Sequence, residues 1–200
     1  MLVIGLTGSI ASGKSETSKL FSSAGIPVFD ADAEVHEIYA SKSFVTLLAS
    51  QFPDAVHNGS VDRLALGKIV LGDMYKLKML ESLVHPLVRA KREKFISRWK
   101  DKKSSFVVLD IPLLYETGQN QEVDRVIVVS TPENEQRKRA LARPGMTEGK
   151  LAGMLARQMP DSEKRKRADF VIENSGSLDQ LREQVETLIA KFNAMGGSAK

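Results

Sequence analysis

The feature that most constrains this chain is a glycine-rich loop near its N-terminus, which matches G-x-x-x-x-G-K-[ST] without a mismatch. We call these eight residues the phosphate loop: Gly8, Ser9, Ile10, Ala11, Ser12, Gly13, Lys14 and Ser15. An apolar run precedes them and a helical pattern follows, which is the strand–loop–helix context that this motif requires. Glycines bring backbone N–H groups close to an anion, and the start of the helix adds its positive dipole end.

The loop therefore predicts binding of a nucleoside triphosphate. Lys14 is expected to reach the β- and γ-phosphates, and the Ser15 hydroxyl to ligate Mg²⁺. Glu16 falls in the first helical turn, where a carboxylate suits the helix dipole. The alternative is a strand-to-helix turn without a ligand. The loop does not say where the phosphate goes, because switches, motors and kinases all carry it.

Five short apolar runs predict an α/β fold with a parallel sheet. They are continuous Val, Ile, Leu and Phe runs, as in strands buried on both faces, at 2–6, 27–29, 106–109, 125–129 and 170–172. Helical patterns lie between them. Roughly 75 residues separate the second and third runs and roughly 40 the fourth and fifth, far more than a crossover needs. We therefore expect a helical insertion near 33–104 and a basic one near 132–168.

The C-terminal part predicts one long core-packing helix. Its apolar residues repeat with helical spacing at Leu178, Leu181, Val185, Leu188, Ile189 and Phe192. Ser177 and Gln180 fit a capping box at its start. The tail 194–200 is expected to be disordered.

Composition excludes several classes of protein. The chain has no cysteine, which rules out disulfides, Cys-ligated zinc and thiol catalysis. Its apolar runs are shorter than the roughly 18 residues of a spanning helix. No basic region precedes the first apolar run, so a signal peptide is not expected and the cytoplasm is the default. The net charge of +4 fits either an ordinary basic surface or a polyanionic ligand.

The missing motifs narrow the choice among phosphate-loop proteins. The chain lacks N-K-x-D and D-x-x-G, which GTPases carry, and L-S-G-G-Q, which transporter ATPases carry. A small-molecule kinase remains. Such an enzyme needs an acceptor pocket and a lid that excludes water, and the two insertions suit these tasks.

Acidic residues follow two of the predicted strands. Asp30 and Asp32 come after the second, and ligands of open α/β sheets sit outside the carboxyl ends of the strands. Asp32 would accept the proton of an attacking hydroxyl, or it would cap a helix beginning at Ala33. Asp110 ends the third strand, as a Walker B aspartate that holds Mg²⁺ or as a solvated strand end.

Basic residues offer further candidates, each with a structural alternative. Arg139 and Arg143 are four apart and are expected to share a helix face, either as an arginine finger in cis or as solvated charges. Arg165 and Arg167 would touch phosphate or nothing. His85 precedes Pro86, so it would either cap a helix beginning there or line a pocket.

Taken together, the motifs resemble the dephospho-CoA kinase family over residues 2–188. They are the phosphate loop, "DAD", "HP", "PLLYE", the paired arginines and "ADFVIEN". The family transfers the γ-phosphate of ATP to the ribose 3′-hydroxyl of dephospho-CoA, the last step of CoA synthesis. The resemblance implies a P-loop NTPase fold of the nucleoside monophosphate kinase type, a five-stranded parallel sheet flanked by helices. Its parts would be a core (1–32, 105–131 and 169–193), a helical acceptor domain (33–104) and a lid (132–168).

The resemblance also implies roles for particular residues. The catalytic residues would be Asp32, Lys14, Arg139 and Arg143, and Mg²⁺ would be bound by Ser15 and Asp110. ATP would be bound by the phosphate loop, Glu16, Arg139 and Asn174. The acceptor would be bound by Thr7, Asp32, His85, Pro112, Leu113, Leu114 and Glu116. The family often has threonine in place of Glu16 and phenylalanine in place of Tyr115.

The partners implied are ATP and dephospho-CoA, with no nucleic acid or membrane, for a cytoplasmic monomer or weak oligomer. One alternative is another small-metabolite or nucleotide kinase. The other is a nucleic-acid-binding ATPase, for which the basic runs are the argument. Aromatic residues make up 6% of the chain, which offers little for base stacking.

Overall fold

Five strands form the main sheet of this computed structural model, which describes residues 1–197 of the chain. They are β1 (Leu2–Gly8), β2 (Val28–Asp30), β5 (Phe106–Asp110), β6 (Arg125–Ser130) and β7 (Phe170–Glu173), in the order β2-β5-β1-β6-β7. β1 pairs in parallel with β5 and with β6, and β6 pairs in parallel with β7. The phosphate loop therefore leaves the carboxyl end of the central strand.

The predicted parallel sheet is confirmed, with strand ends that differ by one or two residues. Burial on both faces explains why the runs do not alternate: Ile4, Leu6, Val107 and Val108 are all inaccessible to solvent. A small antiparallel pair, β3 (Val56–His57) and β4 (Ser60–Val61), was not predicted. Its strands have two residues each, too few to produce a periodic pattern.

The chain folds into two compact units. The first unit comprises Met1–Phe29 and the chain from Arg98 onward, and the second is Asp30–Ser97. The predicted insertion 33–104 overlaps the second unit. The predicted lid 132–168 belongs to the first unit together with the sheet. The acceptor and lid functions given to these segments stay predictions.

The first unit has its helices on a sheet-centred core. They are α1 (Lys14–Ser23), α6 (Glu133–Leu141), α7 (Glu148–Leu155), α8 (Asp161–Arg167) and α9 (Leu178–Gly197). On α9, Leu181, Val185 and Phe192 are buried in the core with Phe106 of β5. No helix among the described residues combines the length and apolarity needed to cross a membrane.

The capping box of α9 is confirmed. The Gln180 N–H donates to Ser177 Oγ at 3.2 Å, and the Ser177 N–H donates to Gln180 Oε1 at 2.9 Å. The tail prediction is wrong for residues 194–197, because α9 continues to Gly197. Gly196 lies so close to the Ser105 carbonyl that an added Cβ would be 2.3 Å from its oxygen. Residues 198–200 of the predicted tail lie outside the described residues.

The second unit is helical and has its own core. Its helices are α2 (Ala31–Ala40), α3 (Lys42–Gln51), α4 (Arg63–Val70) and most of α5 (Met74–Asp101). No helix begins at Pro86, as one alternative had it, because Pro86 lies inside the continuous α5. Leu80 and Val84 are buried in the core just before it, and this packing offsets the hydrogen bond that proline removes.

Candidate functional site

The phosphate loop ends at the first turn of α1, and the start of that helix is open to an anion. Gly13 occupies the N-cap position with φ 97°, and no side chain caps the helix. The first N–H groups of α1, at Lys14 and Ser15, therefore have no capping side chain. Together with the helix dipole, such groups bind phosphate.

Both motif glycines are required by close approaches. A Cβ added to Gly8 would lie 2.6 Å from Ser12 Oγ and 2.7 Å from the Val129 carbonyl oxygen. A Cβ added to Gly13 would lie 1.8 Å from Asn174 Nδ2. Side chains at either position would collide with the loop's own supports.

Lys14 forms an ion pair with Asp110 at the end of β5. Asp110 is 3% exposed, so its carboxylate lies away from bulk water. Asp110 thus holds the ammonium group of the loop lysine at the carboxyl end of β5 through a buried carboxylate.

The predicted Mg²⁺ ligands fit that ion in type. Ser15 offers an exposed hydroxyl at the start of α1, and Asp110 offers a carboxylate at the strand end. Mg²⁺ prefers oxygen ligands and usually keeps several waters alongside one or two protein groups and the substrate phosphates. The described residues contain no cluster of three or more His, Cys, Asp or Glu side chains, as a dedicated protein cage would need.

Asp30, and not Asp32, caps the helix that follows β2. α2 begins at Ala31, and Asp30 Oδ1 accepts from the Ala33 N–H at 3.0 Å. The capping alternative for Asp32 is therefore wrong, and its exposed carboxylate lies in the first turn of α2. Lys91 of α5 holds this helix, through Glu34 at 2.5 Å and Glu37 at 2.7 Å.

Arg139 and Arg143, the two arginines of the predicted lid, do not share a helix face. α6 ends at Leu141 with Ala142 as its C-cap, so Arg143 lies in the following turn. Pro144 explains the ending, since the residue before a proline is disfavoured in helical conformation. Within residues 1–197, the guanidinium groups of Arg139 and Arg143 have no hydrogen bond or ion pair, whereas the Arg143 N–H donates to the Ala140 carbonyl at 3.1 Å.

Arg165 belongs to a structural network at the sheet edge. It pairs with Glu173 of β7 and donates to Ser130 Oγ at 2.9 Å. The hydrogen bond from Glu173 raises the pKa of the Arg165 guanidinium. These partners make Arg165 a structural residue of the sheet edge.

The predicted acceptor segment after β5 is largely used within the first unit. Thr7 is buried, and its hydroxyl donates to the Pro112 carbonyl at 2.9 Å. Leu114 is fully buried, with its Cδ2 2.8 Å from a Cβ added to Gly5. Leu113 remains 38% exposed. Of this group, Pro112 and Leu113 keep surface that an acceptor can contact.

Glu116 and Tyr115 lie in a buried polar region beside α8. Glu116 Oε1 accepts from the Met159 N–H at 2.7 Å and lies 2.9 Å from Nζ of the fully buried Lys164. Glu116 Oε2 and the Tyr115 hydroxyl are buried and have no hydrogen bond among residues 1–197. Burial, with the nearby charge of Asp169 against that of Arg167, raises the pKa of Tyr115 to about 12.

His85 is exposed in the middle of α5 within the second unit. Its place on a continuous helix removes the capping alternative. The acceptor contact stays a prediction.

Three amide side chains support the phosphate loop, and sequence reasoning missed this role for each. Asn174 Nδ2 donates to the Ser12 carbonyl at 2.8 Å, so its side chain binds the loop directly. Gln136 and Gln158 both bond to the backbone of Ile10. No spacing rule could have found these pairs, because partners more than 100 residues apart meet only in the folded chain.

Comparison with known proteins identifies the family. A family model described as "Dephospho-CoA kinase" matches residues 2–180. Curated proteins named dephospho-CoA kinase include one from Mesorhizobium japonicum, 50% identical over 99% of this chain and 100% of its own length. Another, from Brucella melitensis, is 45% identical over 100% of this chain and 99% of its own.

Solved structures agree with this result. TT1252 from Thermus thermophilus superposes with a TM-score of 0.84 at 38% identity, over 95% of this chain and 97% of its own. The dephospho-CoA kinase from Campylobacter jejuni superposes with a TM-score of 0.67 at 27% sequence identity, over 95% of this chain and 96% of its own. A shikimate kinase from Aquifex aeolicus has a TM-score of 0.51 at 15% sequence identity, over 98% of this chain and 99% of its own. This likeness shows the shared fold alone. The chain therefore belongs to the dephospho-CoA kinase family.

Proposed function

We propose that this chain transfers the γ-phosphate of ATP to the ribose 3′-hydroxyl of dephospho-CoA, giving CoA and ADP as the final step of CoA biosynthesis. The observation that carries the proposal is full-length similarity to dephospho-CoA kinases combined with an uncapped phosphate loop. The acceptor oxygen forms a bond to the γ-phosphorus while the bond to the β–γ bridging oxygen breaks. The proton of the acceptor hydroxyl passes to a carboxylate.

On the donor side, the N–H groups at the start of α1 and the Lys14 ammonium bind the phosphates of ATP. Lys14 exchanges its pairing with Asp110 for contacts to phosphate oxygens. Glu16 adds a carboxylate at the first turn of α1. Asn174 supports the loop and borders the adenine.

Ser15 and Asp110 are the residues that would hold Mg²⁺. Bound there, the ion would neutralise phosphate charge as the transferred group moves. Lys14 contributes positive charge to the same phosphates.

On the acceptor side, Asp32 orients the 3′-hydroxyl and accepts its proton. The absence of a capping role for Asp32, which Asp30 performs instead, supports this assignment. The exposed His85 of the second unit and the exposed part of the segment at Pro112 and Leu113 contact the rest of the acceptor.

Arg139 and Arg143 supply charge to the phosphoryl group during transfer. Both guanidinium groups are without protein partners in residues 1–197, unlike Arg165, which is committed to Glu173. We place the reaction in the cytoplasm, with a monomer or weak oligomer acting on ATP and dephospho-CoA, without nucleic acid or membrane.

The experiment is an ADP-release assay with a panel of acceptors. Dephospho-CoA, nucleoside monophosphates and shikimate are compared at equal concentration, and dephospho-CoA should give the fastest turnover. Fastest turnover with a nucleoside monophosphate would instead assign the chain to nucleotide kinases. ATP hydrolysis that depends on added nucleic acid would favour a nucleic-acid-dependent ATPase.

A further inference from the structure

Two glutamine side chains hold the backbone of Ile10, in the middle of the phosphate loop. The Ile10 N–H donates to Gln158 Oε1 at 3.0 Å. The Ile10 carbonyl accepts from Gln136 Nε2 at 2.9 Å. Gln136 lies on α6 and is 9% exposed, and the half-buried Gln158 follows the end of α7. Because one partner is a backbone donor and the other a backbone acceptor, each carboxamide has a fixed orientation.

The same stretch of the loop packs on an apolar cluster from the predicted lid. Ile10 and Ala11 contact a cluster that contains the buried Ala140 and Leu151. Ala11 has φ 59°, a left-handed conformation that disfavours residues with a Cβ. Such a conformation persists where surrounding contacts over-determine it. Here the Ala11 methyl group is in the cluster, so segment 132–168 supplies the contacts that hold the strained residue.

The chemistry of the two side chains suits a site for a polyanion. A carboxamide donates or accepts a hydrogen bond without adding charge. A carboxylate at either position would repel phosphate, and an ammonium group would compete with Lys14 for it. Uncharged supports fix the loop and leave its charge balance to Lys14.

We propose that Gln136 and Gln158 are positioning residues that hold the phosphate loop in the shape that receives the triphosphate. Segment 132–168 then contributes a fixed foundation to the nucleotide site as well as its arginines. The inference rests on the proposed function, since it takes ATP to occupy the loop.

The test uses the polarity of the two hydrogen bonds. Methionine at either position keeps the side-chain length and removes the bond. Glutamate at 158 still accepts from the Ile10 N–H, whereas glutamate at 136 faces the Ile10 carbonyl with an acceptor. We expect Q136M and Q158M each to raise the Kd and KM for ATP about tenfold. The KM for the acceptor should not change. Q158E should bind ATP more tightly than Q158M, and Q136E no more tightly than Q136M.

The matched control is D124A. Asp124 Oδ2 accepts from the Val3 N–H at 2.7 Å, so it is also a long-range support of the backbone, but at the opposite end of β1. D124A should lower Tm and leave the Kd for ATP unchanged. The proposal is overturned if the methionine variants lower Tm in the same way but keep the Kd for ATP within twofold of wild type. It is also overturned if both glutamate variants shift the Kd alike, since charge alone would then explain them.

Two features keep the test decisive. Gln158 is only partly buried, so the Q158M and Q158E pair decides the matter even where a Gln136 variant does not fold. ATP binding measured by calorimetry needs no acceptor. A wild-type protein that binds ATP but prefers another acceptor would refute the proposed function and leave this inference standing.

Discussion

Lys14 and Asp110 form an ion pair, and the proposed function gives each of them a second partner: the nucleotide phosphates for Lys14 and Mg²⁺ for Asp110. Removing the cation from a buried carboxylate is costly, so the loss of Lys14 from Asp110 would favour a metal ion in its place. Once phosphate attracts Lys14, a divalent cation would compensate the carboxylate. In the proposed function, the lysine-binding role of Asp110 therefore precedes its metal role.

Asp110→Asn separates these two roles. We expect the Mg²⁺ concentration for half-maximal ADP binding to rise about 10- to 100-fold, the usual cost of disturbing a metal's supporting group. Calorimetric titration of ADP at a series of Mg²⁺ concentrations measures it. Lys14→Met, which breaks the same ion pair and keeps the carboxylate, serves as the control. An unchanged Mg²⁺ dependence in D110N would refute the metal role of Asp110.

Asp32→Asn tests the acceptor side. The variant should bind ATP as wild type does and lose roughly two to four decades of kcat, as for a general base. Steady-state kinetics with dephospho-CoA measure this. Asp30→Asn is the matched control, because it removes a charge two residues away and asparagine keeps the N-cap of α2. A kcat within tenfold of wild type for D32N would refute the base assignment.

Tyr115→Phe should stabilise the protein by about 1 kcal/mol, because the tyrosine hydroxyl is buried without a hydrogen bond. The raised pKa of about 12 adds a pH dependence. The unfolded chain releases the Tyr115 proton near pH 10, so the stability from the protonated group is present below pH 10 and lost between pH 10 and 12. Y115F should remove this alkaline loss.

Urea unfolding at pH 8 and across pH 9–12 checks both parts. Tyr75→Phe is the control, since Tyr75 is 74% exposed and its hydroxyl reaches water. A loss of stability in Y115F at pH 8 would show that the hydroxyl has a favourable partner.

At the scale of elements, α9 shows how far local sequence determines local structure. Its apolar spacing and its Ser177–Gln180 box predicted the start of the helix and most of the buried face, because both depend on neighbours within four residues. Leu178 is the exception: it was predicted to pack in the core and is 49% exposed. The five strands were also predictable, because burial on both faces leaves continuous apolar runs in the sequence. The continuation of α9 to Gly197 was not predicted, and there Gly196 lies close to Ser105, a residue distant in sequence that no local pattern contains.

Ser177→Ala should lower the free energy of unfolding by about 1 kcal/mol, the usual cost of losing an N-cap hydroxyl. The loss should appear in global unfolding, because Leu181, Val185 and Phe192 of α9 belong to the core of the first unit. Urea denaturation followed by circular dichroism measures it. Ser175→Ala, an exposed serine two residues earlier, should change stability by less than about 0.5 kcal/mol. Equal effects would deny the cap its role.

The same contrast separates the site residues. The phosphate loop was predictable because eight consecutive residues carry its chemistry. The sequence offered Asp32 as an alternative N-cap where Asp30 is the actual one, because the two differ by two residues at a helix boundary, where sequence patterns are weakest. The supports at Gln136, Gln158 and Asn174 depend on chain topology, and no local pattern contains that information.

At the scale of the whole molecule, each unit has an apolar core of its own. In the first, Ile4, Phe106 and Phe192 are among the buried residues. The core of the second unit includes the buried residues Phe44, Leu48 and Leu80. The phosphate loop lies in the first unit, whereas Asp32 and His85 lie in the second. The proposed function thus assigns the donor phosphates to one unit and much of the acceptor to the other.

Hydrogen exchange measured by mass spectrometry tests this division. ADP with Mg²⁺ should slow exchange by about tenfold or more at the phosphate loop and the first turn of α1, because bound phosphate occupies N–H groups that have no capping side chain. Dephospho-CoA should slow exchange within Asp30–Ser97, in peptides from α2 and α5. Lys14→Ala should lose most of the ADP effect and keep the acceptor effect, since Lys14 belongs to the first unit. Protection by dephospho-CoA confined to the first unit would show that Asp32 and His85 do not contact the acceptor.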